Sequence, residues 1–272
     1  MKVKGKIIVV TDGGGGLGRK LVLNLLEKGA KVAIVDINSE ALDETIKLAR
    51  ENISNLSKHV LNITDKERVL VFPEEIIKIH GAVDGIINNA GIIQPFINAS
   101  AVGFDVIECI MNINFYGTLN MAKAFLPYFE KRPEAHIVNI SSMGGFIPFP
   151  GQTLYGASKA AVKLLTEGLY AELKDMNIKV TVVHPGAINT NIKFNSGLEQ
   201  SEKEKEEAKT SSGVLQPNEA AKKNIAVIEK DKFRARIGKD AKMLDVLYRI
   251  APKFAVNLIT KKMKSASQSK GI

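Results

Sequence analysis

The sequence predicts a three-layer α/β/α protein built on a doubly wound parallel sheet, as a single domain with a C-terminal helical extension. Two observations lead to this fold class. Short, wholly apolar runs alternate with longer segments of helical periodicity, which is typical of parallel strands covered by helices on both faces. A glycine-rich turn joins the first apolar run to the first helical segment, where such sheets have a tight connection.

The predicted elements alternate along most of the chain. We expect strands at residues 6–11, 31–37, 59–61, 83–88, 136–141, 179–183 and 233–237. We expect helices at residues 17–28, 39–50, 65–79, 104–129 and 153–174. The alternation stops between about residues 189 and 216, where charged residues dominate. This segment is either a solvated surface element or a mobile lid, and its place after a strand's C-terminal end favours a lid at about residues 190–216.

Length and composition narrow the class of protein. The chain has 272 residues, 45% of them hydrophobic and 25% charged, which suits one large domain with a substantial core. Cys109 is the single cysteine, which excludes an intramolecular disulfide and argues against cysteine-ligated zinc, so we expect no metal site and a cysteine packed in the core. Because the sequence has no run of about 18 apolar residues, we expect a soluble, cytoplasmic protein.

The positive charge is concentrated near the C-terminus. Residues 221–272 carry 14 Lys and Arg against 4 Asp and Glu, whereas the preceding 220 residues carry 24 against 25. We therefore divide the chain into a domain at residues 1–240 and a basic amphipathic helical extension at 241–272, broken or kinked at Pro252. The extension could pack on the domain or on a neighbouring subunit, or make weak contact with an anionic membrane surface. We expect no nucleic acid partner, because no recognition motif accompanies the charge.

The glycine-rich turn at residues 11–18 has the features of a Rossmann-type phosphate-binding turn. Its glycines allow close approach of the backbone to a pyrophosphate, and the following helix presents free N–H groups. Asp36 stands at the end of the second predicted strand, where a carboxylate accepts hydrogen bonds from ribose hydroxyls and repels a 2′-phosphate. The sequence therefore predicts NAD as the cofactor, with NADP less favoured.

Tyr155 and Lys159 are four residues apart in a predicted helix, so they lie on one face, one turn apart. An ammonium beside a phenol favours the phenolate and lowers the phenol pKa. A phenol tuned in this way can deliver or remove a proton, as carbonyl reduction and alcohol oxidation require.

At this point residues 4–192 resemble the short-chain dehydrogenase/reductase family. Six motifs occur in the order that the family shows. They are the Thr-Gly-x-x-x-Gly-x-Gly turn (Thr11, Gly16, Gly18), NNAG (Asn88–Gly91), the helix asparagine (Asn114), the strand ending in serine (Ile137–Ser142), YxxxK (Tyr155, Lys159) and PGxIxT (Pro185–Thr190).

The resemblance implies roles for individual residues. Tyr155 would be the general acid in reduction and the base in oxidation, and Lys159 would lower its pKa and hold the nicotinamide ribose. Ser142 would bind the substrate oxygen, and Asn114 would hold a water that links Lys159 to solvent. The cofactor-binding residues would be Thr11, Asp12, Gly13, Gly16, Leu17, Gly18, Asp36, Asn62, Ile63, Asn89, Ala90, Gly91, Tyr155, Lys159, Pro185, Gly186, Ile188 and Thr190.

Two residues depart from the family pattern. Asp12 replaces the first motif glycine, and a carboxylate about 4 Å from a pyrophosphate charge would repel it by up to ~4 kcal/mol at an effective dielectric of about 20. Alternatively, Asp12 points away and caps a backbone N–H. Asn62 stands where the family usually has an aspartate beside the adenine, and its amide oxygen can still accept a hydrogen bond.

The expected substrate is a small-molecule alcohol or ketone, neutral and apolar. The apolar residues near the predicted catalytic residues in sequence are expected to line its pocket: Met143, Phe149 and Leu154, with Ile92, Ile93 and Phe146 as further candidates. The resemblance implies NAD-dependent oxidation of a secondary alcohol, or reduction of its ketone, by a homodimer or homotetramer. Two alternatives stay open: a non-catalytic binding protein whose cofactor site Asp12 impairs, and a dehydrogenase of the lipid, sterol or retinoid type at a membrane surface.

Overall fold

The computed structural model describes residues 1–189, 192, 196 and 214–268, with side chains placed as far as Lys264. Within these ranges seven strands form one parallel sheet. The strands are β1 (Ile7–Thr11), β2 (Lys31–Asp36), β3 (Leu56–Val60), β4 (Gly85–Asn88), β5 (Ala135–Ile140), β6 (Ile178–Pro185) and β7 (Arg234–Ile237). Their order across the sheet is β3-β2-β1-β4-β5-β6-β7, so the predicted doubly wound α/β fold is confirmed.

Helices cover both faces of this sheet. They are α1 (Gly16–Glu27), α2 (Ser39–Ala49), α3 (Lys66–His80), α4 (Phe104–Met111), α5 (Thr118–Phe129), α6 (Thr153–Leu173), α7 (Pro217–Ile228), α8 (Lys239–Ile250) and α9 (Pro252–Gln268). One core cluster lies between the sheet and helices α1 and α7, and a second lies on the opposite face under α3 and α5. The strands carry apolar residues on both faces because both faces are covered.

The winding direction reverses between β1 and β4, which are neighbours in the sheet. In parallel sheets of this kind, ligands bind at the carboxyl ends of the strands beside such a reversal. The sheet therefore brings the carboxyl ends of β1 to β6 to one edge. All the predicted site residues except Asn114, Leu154, Tyr155 and Lys159 lie at these strand ends or in the segments that follow them.

The extension forms α8 and α9, which meet at Pro252. Proline is tolerated in the first turn of a helix. Pro252 is accordingly the first residue of α9, so the extension is two separate helices and not one kinked helix. Leu244, Ala255 and Ile259 form a third apolar cluster with Ile147, which follows β5. The extension thus packs on the domain of its own chain. No helix in the described ranges is long and apolar enough to cross a membrane.

The prediction that Cys109 packs in the core is wrong, because its side chain is exposed. Cys109 lies on α4, where Ile110 is buried and Phe104 is 83% exposed. The apolar residues of α4 therefore do not mark an inward face. Apolar composition alone misled the prediction, since a helix can be apolar on a side that the rest of the chain leaves uncovered.

Candidate active site

Ser142, Tyr155, Lys159 and Asn114 reach the same edge of the sheet from three elements. Ser142 follows β5, while Tyr155 and Lys159 lie in the first two turns of α6. A cavity of about 210 Å³ is lined by Ser142, Tyr155 and Lys159 together with residues from the ends of β1, β4, β5 and β6. Three of the four predicted catalytic residues therefore line the same cavity.

Lys159 is almost completely buried, with 3% of its surface exposed, and its Nζ donates to the carbonyl oxygen of Ile140 across 3.1 Å. Burial lowers the pKa of Lys159 to about 8, while the negative charge of Asp12 acts in the opposite direction. This ammonium can therefore lose its proton within a pH unit or so of neutrality, which an exposed lysine does not do.

The pKa of Tyr155 differs from the sequence expectation. Burial raises it above the ordinary value, and the hydrogen bond with Ser142 lowers it in part. The prediction that Lys159 lowers the pKa of Tyr155 is wrong for the protein alone. Burial is the largest influence on this pKa, and the group that lowers it in part is the Ser142 hydroxyl. Ser142 in turn accepts a hydrogen bond from the Gly144 N–H at 3.0 Å, which fixes its side chain.

Asn114 lies in a π-helical turn, Asn112–Gly117, between α4 and α5. Such turns interrupt the regular helical ladder and are frequent at functional sites. The fully buried Asn114 side chain accepts the Ile92 N–H at 2.8 Å, and its Nδ2 donates to the Ile92 carbonyl and to the Ser158 hydroxyl, both at 2.9 Å. Asn114 thereby fixes the segment after β4 to the helix that carries Tyr155.

A larger cavity of about 350 Å³ adjoins the first. Among the predicted cofactor residues it is lined by Asp12, Asp36, Asn62, Ile63, Ala90 and Gly91. The smaller cavity is lined by Asp12, Gly16, Leu17, Asn89, Gly91, Tyr155, Lys159, Pro185, Gly186 and Ile188. Asp12 and Gly91 line both, so the two cavities form one continuous cleft with Asp12 at its middle.

Three of the predicted cofactor residues lie behind the cavity walls. The Thr11 hydroxyl accepts the N–H groups of Asn89 and Ala90, both at 2.9 Å, and so ties the end of β1 to the end of β4. Gly13 bonds to β2 through the Val35 carbonyl. A Cβ on Gly18 would stand 1.9 Å from the Asp12 carbonyl oxygen, so only glycine lets α1 approach the turn. These residues shape the cleft.

Asp12 adopts a left-handed backbone conformation, with φ +56°. Glycine is the usual residue at such a position, and aspartate tolerates it better than most others. The Asp12 carboxyl accepts a hydrogen bond from Asn89 Nδ2 at 3.3 Å. Burial raises its pKa well above the usual range and the charge of Asp36 raises it further, while Lys159 and Asn89 lower it. Asp12 therefore points into the cleft, where burial favours its neutral carboxyl more than water does.

Asp36 lines the larger cavity but not the smaller one. Its two carboxylate oxygens accept the Gly14 N–H at 3.1 Å and the Asn38 N–H at 3.0 Å. A Cβ on Gly14 would stand 2.8 Å from Asp36 Oδ2, so glycine is required at that contact. Asn62 uses its amide oxygen within its own loop, where it accepts the Thr64 N–H and hydroxyl.

The predicted substrate residues lie beside the smaller cavity. Met143 and Phe149 pack against the third apolar cluster, under α8 and α9, and Leu154 is half-buried at the start of α6. Among the described residues, the apolar lining of the cavity comes instead from Ile140 and Ile192, together with the predicted Ile93, Leu17 and Ile188. Thr190 and most of the predicted lid lie outside the described residues.

Comparison with known proteins decides the family. Residues 6–201, more than half of the chain, match the family model for short chain dehydrogenase. The chain belongs to the short-chain dehydrogenase family. The membership expected from the six motifs is confirmed.

One curated relative and two solved structures resemble this chain over most of its length. SadH of Mycobacterium tuberculosis, described as an oxidoreductase, is 37% identical over 252 residues, which cover 91% of each protein. The solved structure of ElxO with NADP bound is 29% identical, with a TM-score of 0.75 over 86% of this chain and 97% of ElxO. A Burkholderia phymatum member in complex with NAD has a TM-score of 0.78 at 22% identity, over 87% of this chain and 90% of that protein, and shows the shared fold.

Proposed function

We propose that the protein transfers a hydride between NAD(H) and a secondary alcohol or its ketone, with Tyr155 as the general acid and base. The observation that carries this proposal is the convergence of Tyr155, Ser142 and Lys159 on one cavity that opens into a second, larger one. Asn114 lies near Lys159, since a Cβ on Gly91 would stand 2.9 Å from Lys159 Nζ and 3.0 Å from Asn114 Oδ1.

The residues of the cleft fit a nicotinamide dinucleotide. The Gly15 end of α1 has no side-chain cap among the described residues, so its first N–H groups can bind phosphate oxygens. Asp36 offers a carboxylate to a ribose at one end, and the catalytic residues stand at the other. The raised pKa of Asp12 favours its neutral carboxyl, which reduces the charge repulsion that a carboxylate at the middle of the cleft would cause. When bound, the nicotinamide accepts or donates the hydride.

The protein's own residues handle the proton. In oxidation, the phenolate of Tyr155 takes the hydroxyl proton as the carbinol C–H bond breaks and the carbonyl forms; reduction runs in reverse, with the phenol donating. Ser142 hydrogen-bonds the substrate oxygen and steadies its developing charge. Lys159, whose pKa is about 8, can exchange its proton with solvent and return Tyr155 to its starting state.

Asp36 supports NAD over NADP. Its carboxylate is fixed by two backbone N–H groups, so it cannot turn away from a 2′-phosphate without losing both bonds. The isoleucine lining of the smaller cavity supports a neutral, apolar substrate. A cytoplasmic location stays a prediction that cell fractionation would check.

The first test is a fluorescence titration with NADH and NADPH. Micromolar NADH binding, with NADPH weaker, is expected of the unaltered protein, and Asp36→Ser is expected to reverse the order. A panel of secondary alcohols and ketones then tests turnover. Tyr155→Phe should reduce kcat by about 10²-fold or more and leave NADH binding intact. Nucleotide binding without turnover of any panel member would favour the non-catalytic alternative, and so would no binding that Asp12→Gly restores.

A homodimer or homotetramer is supported by α4 and α6, which carry exposed apolar residues. Phe104 on α4 is 83% exposed and Leu164 on α6 is 68% exposed. Exposed apolar side chains of this size favour an interface. The solution mass, measured by light scattering, should correspond to two or four chains, and Leu164→Lys should lower it. A monomeric mass for the unaltered protein would contradict the proposal.

A membrane-surface role is favoured by one feature of α8. Met243, Val246 and Ile250 are at least half exposed and lie on one stripe of the helix, with Lys242 and Arg249 beside it. A basic helix with such a stripe suits an anionic bilayer surface. Sedimentation with phosphatidylserine vesicles tests this role. Salt-sensitive binding that Ile250→Asn abolishes would support it, and an absence of binding would remove it.

A further inference from the structure

Gln94 lies on the segment that follows β4, and none of its surface is exposed. Its Oε1 accepts two backbone N–H groups at the start of α6, from Leu154 at 2.7 Å and from Tyr155 at 3.0 Å. Its Nε2 donates to the carbonyl of Gly151 at 2.9 Å and to that of Ile97 at 3.3 Å. Both ends of a buried amide are therefore engaged, and two of its bonds reach the helix that carries Tyr155.

Helix α6 depends on this contact because its own N-cap does not supply one. Gln152 is the N-cap residue, and its side chain makes no capping hydrogen bond. The Gln152 side-chain amide donates instead to the main-chain carbonyl oxygen of Gln94, at 2.9 Å. The first N–H groups of a helix need acceptors, particularly when the helix end is buried. Gln94 supplies that acceptor from 60 residues away in sequence, at Leu154 and at Tyr155 itself.

The same short segment also binds Asn114. Ile92, two residues before Gln94, exchanges two hydrogen bonds with the Asn114 side chain, and the N–H of Ile93 donates to the Ser196 hydroxyl at 2.9 Å. The three residues Ile92–Gln94 thus connect the π-helical turn, the start of α6 and the beginning of the segment after β6. A shift of Gln94 would move Tyr155 relative to Ser142 and Asn114.

We propose that Gln94 is a positioning residue for the proton-transfer step: through the N–H groups of Leu154 and Tyr155 it holds the Tyr155 phenol against the Ser142 hydroxyl. Gln94 contacts neither substrate nor cofactor in this role and acts only through α6. The inference rests on the proposed function for its kinetic consequence, whereas its effect on the ionisation of Tyr155 can be measured without turnover.

Two substitutions separate the acceptor from the rest of the side chain. Gln94→Met keeps the length and the burial but removes both the acceptor and the donors. Gln94→Glu keeps an acceptor for the N–H groups of Leu154 and Tyr155. If the acceptor positions the phenol, kcat should fall about tenfold or more in Gln94→Met, recover in part in Gln94→Glu, and NADH affinity should change little in either variant.

The ionisation of Tyr155 gives a readout that a merely structural role would not move. It is followed by ultraviolet difference titration against Tyr155→Phe. Because the Ser142 hydrogen bond lowers the pKa of Tyr155, both Gln94→Met and Ser142→Ala should raise it. In the double variant the two shifts should not add, since both act on the same contact.

Asn24 provides the matched control. It is a buried amide on α1 that bonds to Lys20 and Asn218, away from the cleft. Asn24→Leu should lower the melting temperature and leave the Tyr155 pKa unchanged. An unaltered Tyr155 pKa in folded Gln94→Met, or fully additive shifts in the double variant, would overturn the proposal. If the unaltered enzyme turns over nothing, the proposed function fails, while the titration still decides the role of Gln94.

Discussion

Asn89 Nδ2 donates to the Asp12 carboxyl across 3.3 Å, at the point where the two cavities meet. The two residues follow β1 and β4, the neighbouring strands between which the winding of the sheet reverses. The residue that departs from the family's glycine motif is thus held in the cleft by a residue of the NNAG motif. Its protonation state decides whether the middle of the cleft carries a negative charge.

Cofactor affinity should therefore depend on pH through Asp12. The raised pKa of Asp12 keeps it neutral at lower pH, and as pH rises through that pKa the carboxylate forms and repels the pyrophosphate. We expect NADH binding to weaken as pH rises. Asp12→Asn, which tolerates the same left-handed backbone, should bind NADH about tenfold more tightly at about pH 8 and lose the Asp12 component of the pH dependence. Equal pH profiles for the two proteins, measured by fluorescence titration, would refute this.

Asp12 should also affect stability, with a defined sign. Its pKa is raised on folding, so the folded state binds the proton more tightly and stability falls as pH rises from the unfolded pKa towards the folded one. Asp12→Asn should accordingly raise the melting temperature at about pH 8 and change it little at about pH 4. Differential scanning calorimetry at the two pH values checks this. A lower melting temperature for the variant at the higher pH would contradict it.

Ser142→Ala should change how the rate of alcohol oxidation depends on pH. The Ser142 hydroxyl stabilises the Tyr155 phenolate and so lowers its pKa, against the dominant effect of burial. Without it the pKa rises further, and the rise in oxidation rate should move to higher pH, together with a lower kcat from the lost contact to the substrate oxygen. Steady-state rates over a range of pH give the answer. A shift to lower pH would show that another group controls ionisation.

Two glycines in helices should respond oppositely to alanine. A Cβ on Gly18 would meet the Asp12 carbonyl oxygen at 1.9 Å, whereas a Cβ on Gly168 of α6 meets nothing within 4 Å. Gly168→Ala should stabilise the protein by about 0.5–1 kcal/mol, because glycine loses more entropy in a helix. Gly18→Ala should destabilise it by several times that amount, about 3 kcal/mol or more. Urea unfolding of both variants tests the pair, and similar effects would count against the close approach of α1.

Asp245 is expected to fix α8 to β7. Its carboxylate is almost wholly buried and pairs with Arg234 at 2.9 Å, Arg236 at 2.8 Å and Arg249 at 3.1 Å. Burial opposes ionisation, but the three guanidinium groups outweigh it and leave the pKa below its ordinary value. The stability that ionised Asp245 contributes is present above the pKa of Asp245 in the unfolded chain. It is lost as pH falls through the lower pKa of Asp245 in the folded protein. Asp245→Asn should lower the melting temperature at neutral pH, and it should lower it by less in acid. Equal losses of melting temperature at the two pH values would contradict a role for the ion pairs.

Much of the fold could be predicted because local patterns determine it. The β1, α1, β2 and α2 segments agree with expectation to within one residue at each end, since apolar runs and glycine turns mark them directly. The third strand was predicted at 59–61 and lies at Leu56–Val60, an edge strand whose half-exposed residues give a weak signal. Helix α7 was missed although Pro217 stands at its first position, a usual helix start.

The site was predictable where motifs carry it and less so where distant segments meet. Ser142, Tyr155 and Lys159 converge as expected, whereas the pKa of Tyr155 depends on burial, which spacing does not reveal. Gln94 carries no local signal, because the two helix N–H groups that it accepts lie 60 and 61 residues further along the chain. Proximity in sequence predicts that Met143 and Phe149 line the substrate pocket. In the structure both side chains pack against the Ile147 cluster, which α8 and α9 cover.

The order in which a ribosome makes this protein has a consequence for the cluster around Ile147. Its covering residues, Leu244, Ala255 and Ile259, are synthesised roughly 100 residues later, so a nascent chain exposes Ile147, Phe146 and Phe149 to water until α8 and α9 emerge. Chaperone demand during translation should therefore peak late. A premature stop codon between β7 and α8 would yield a chain with its sheet complete and this apolar surface permanently bare, and quality-control proteases are expected to remove it.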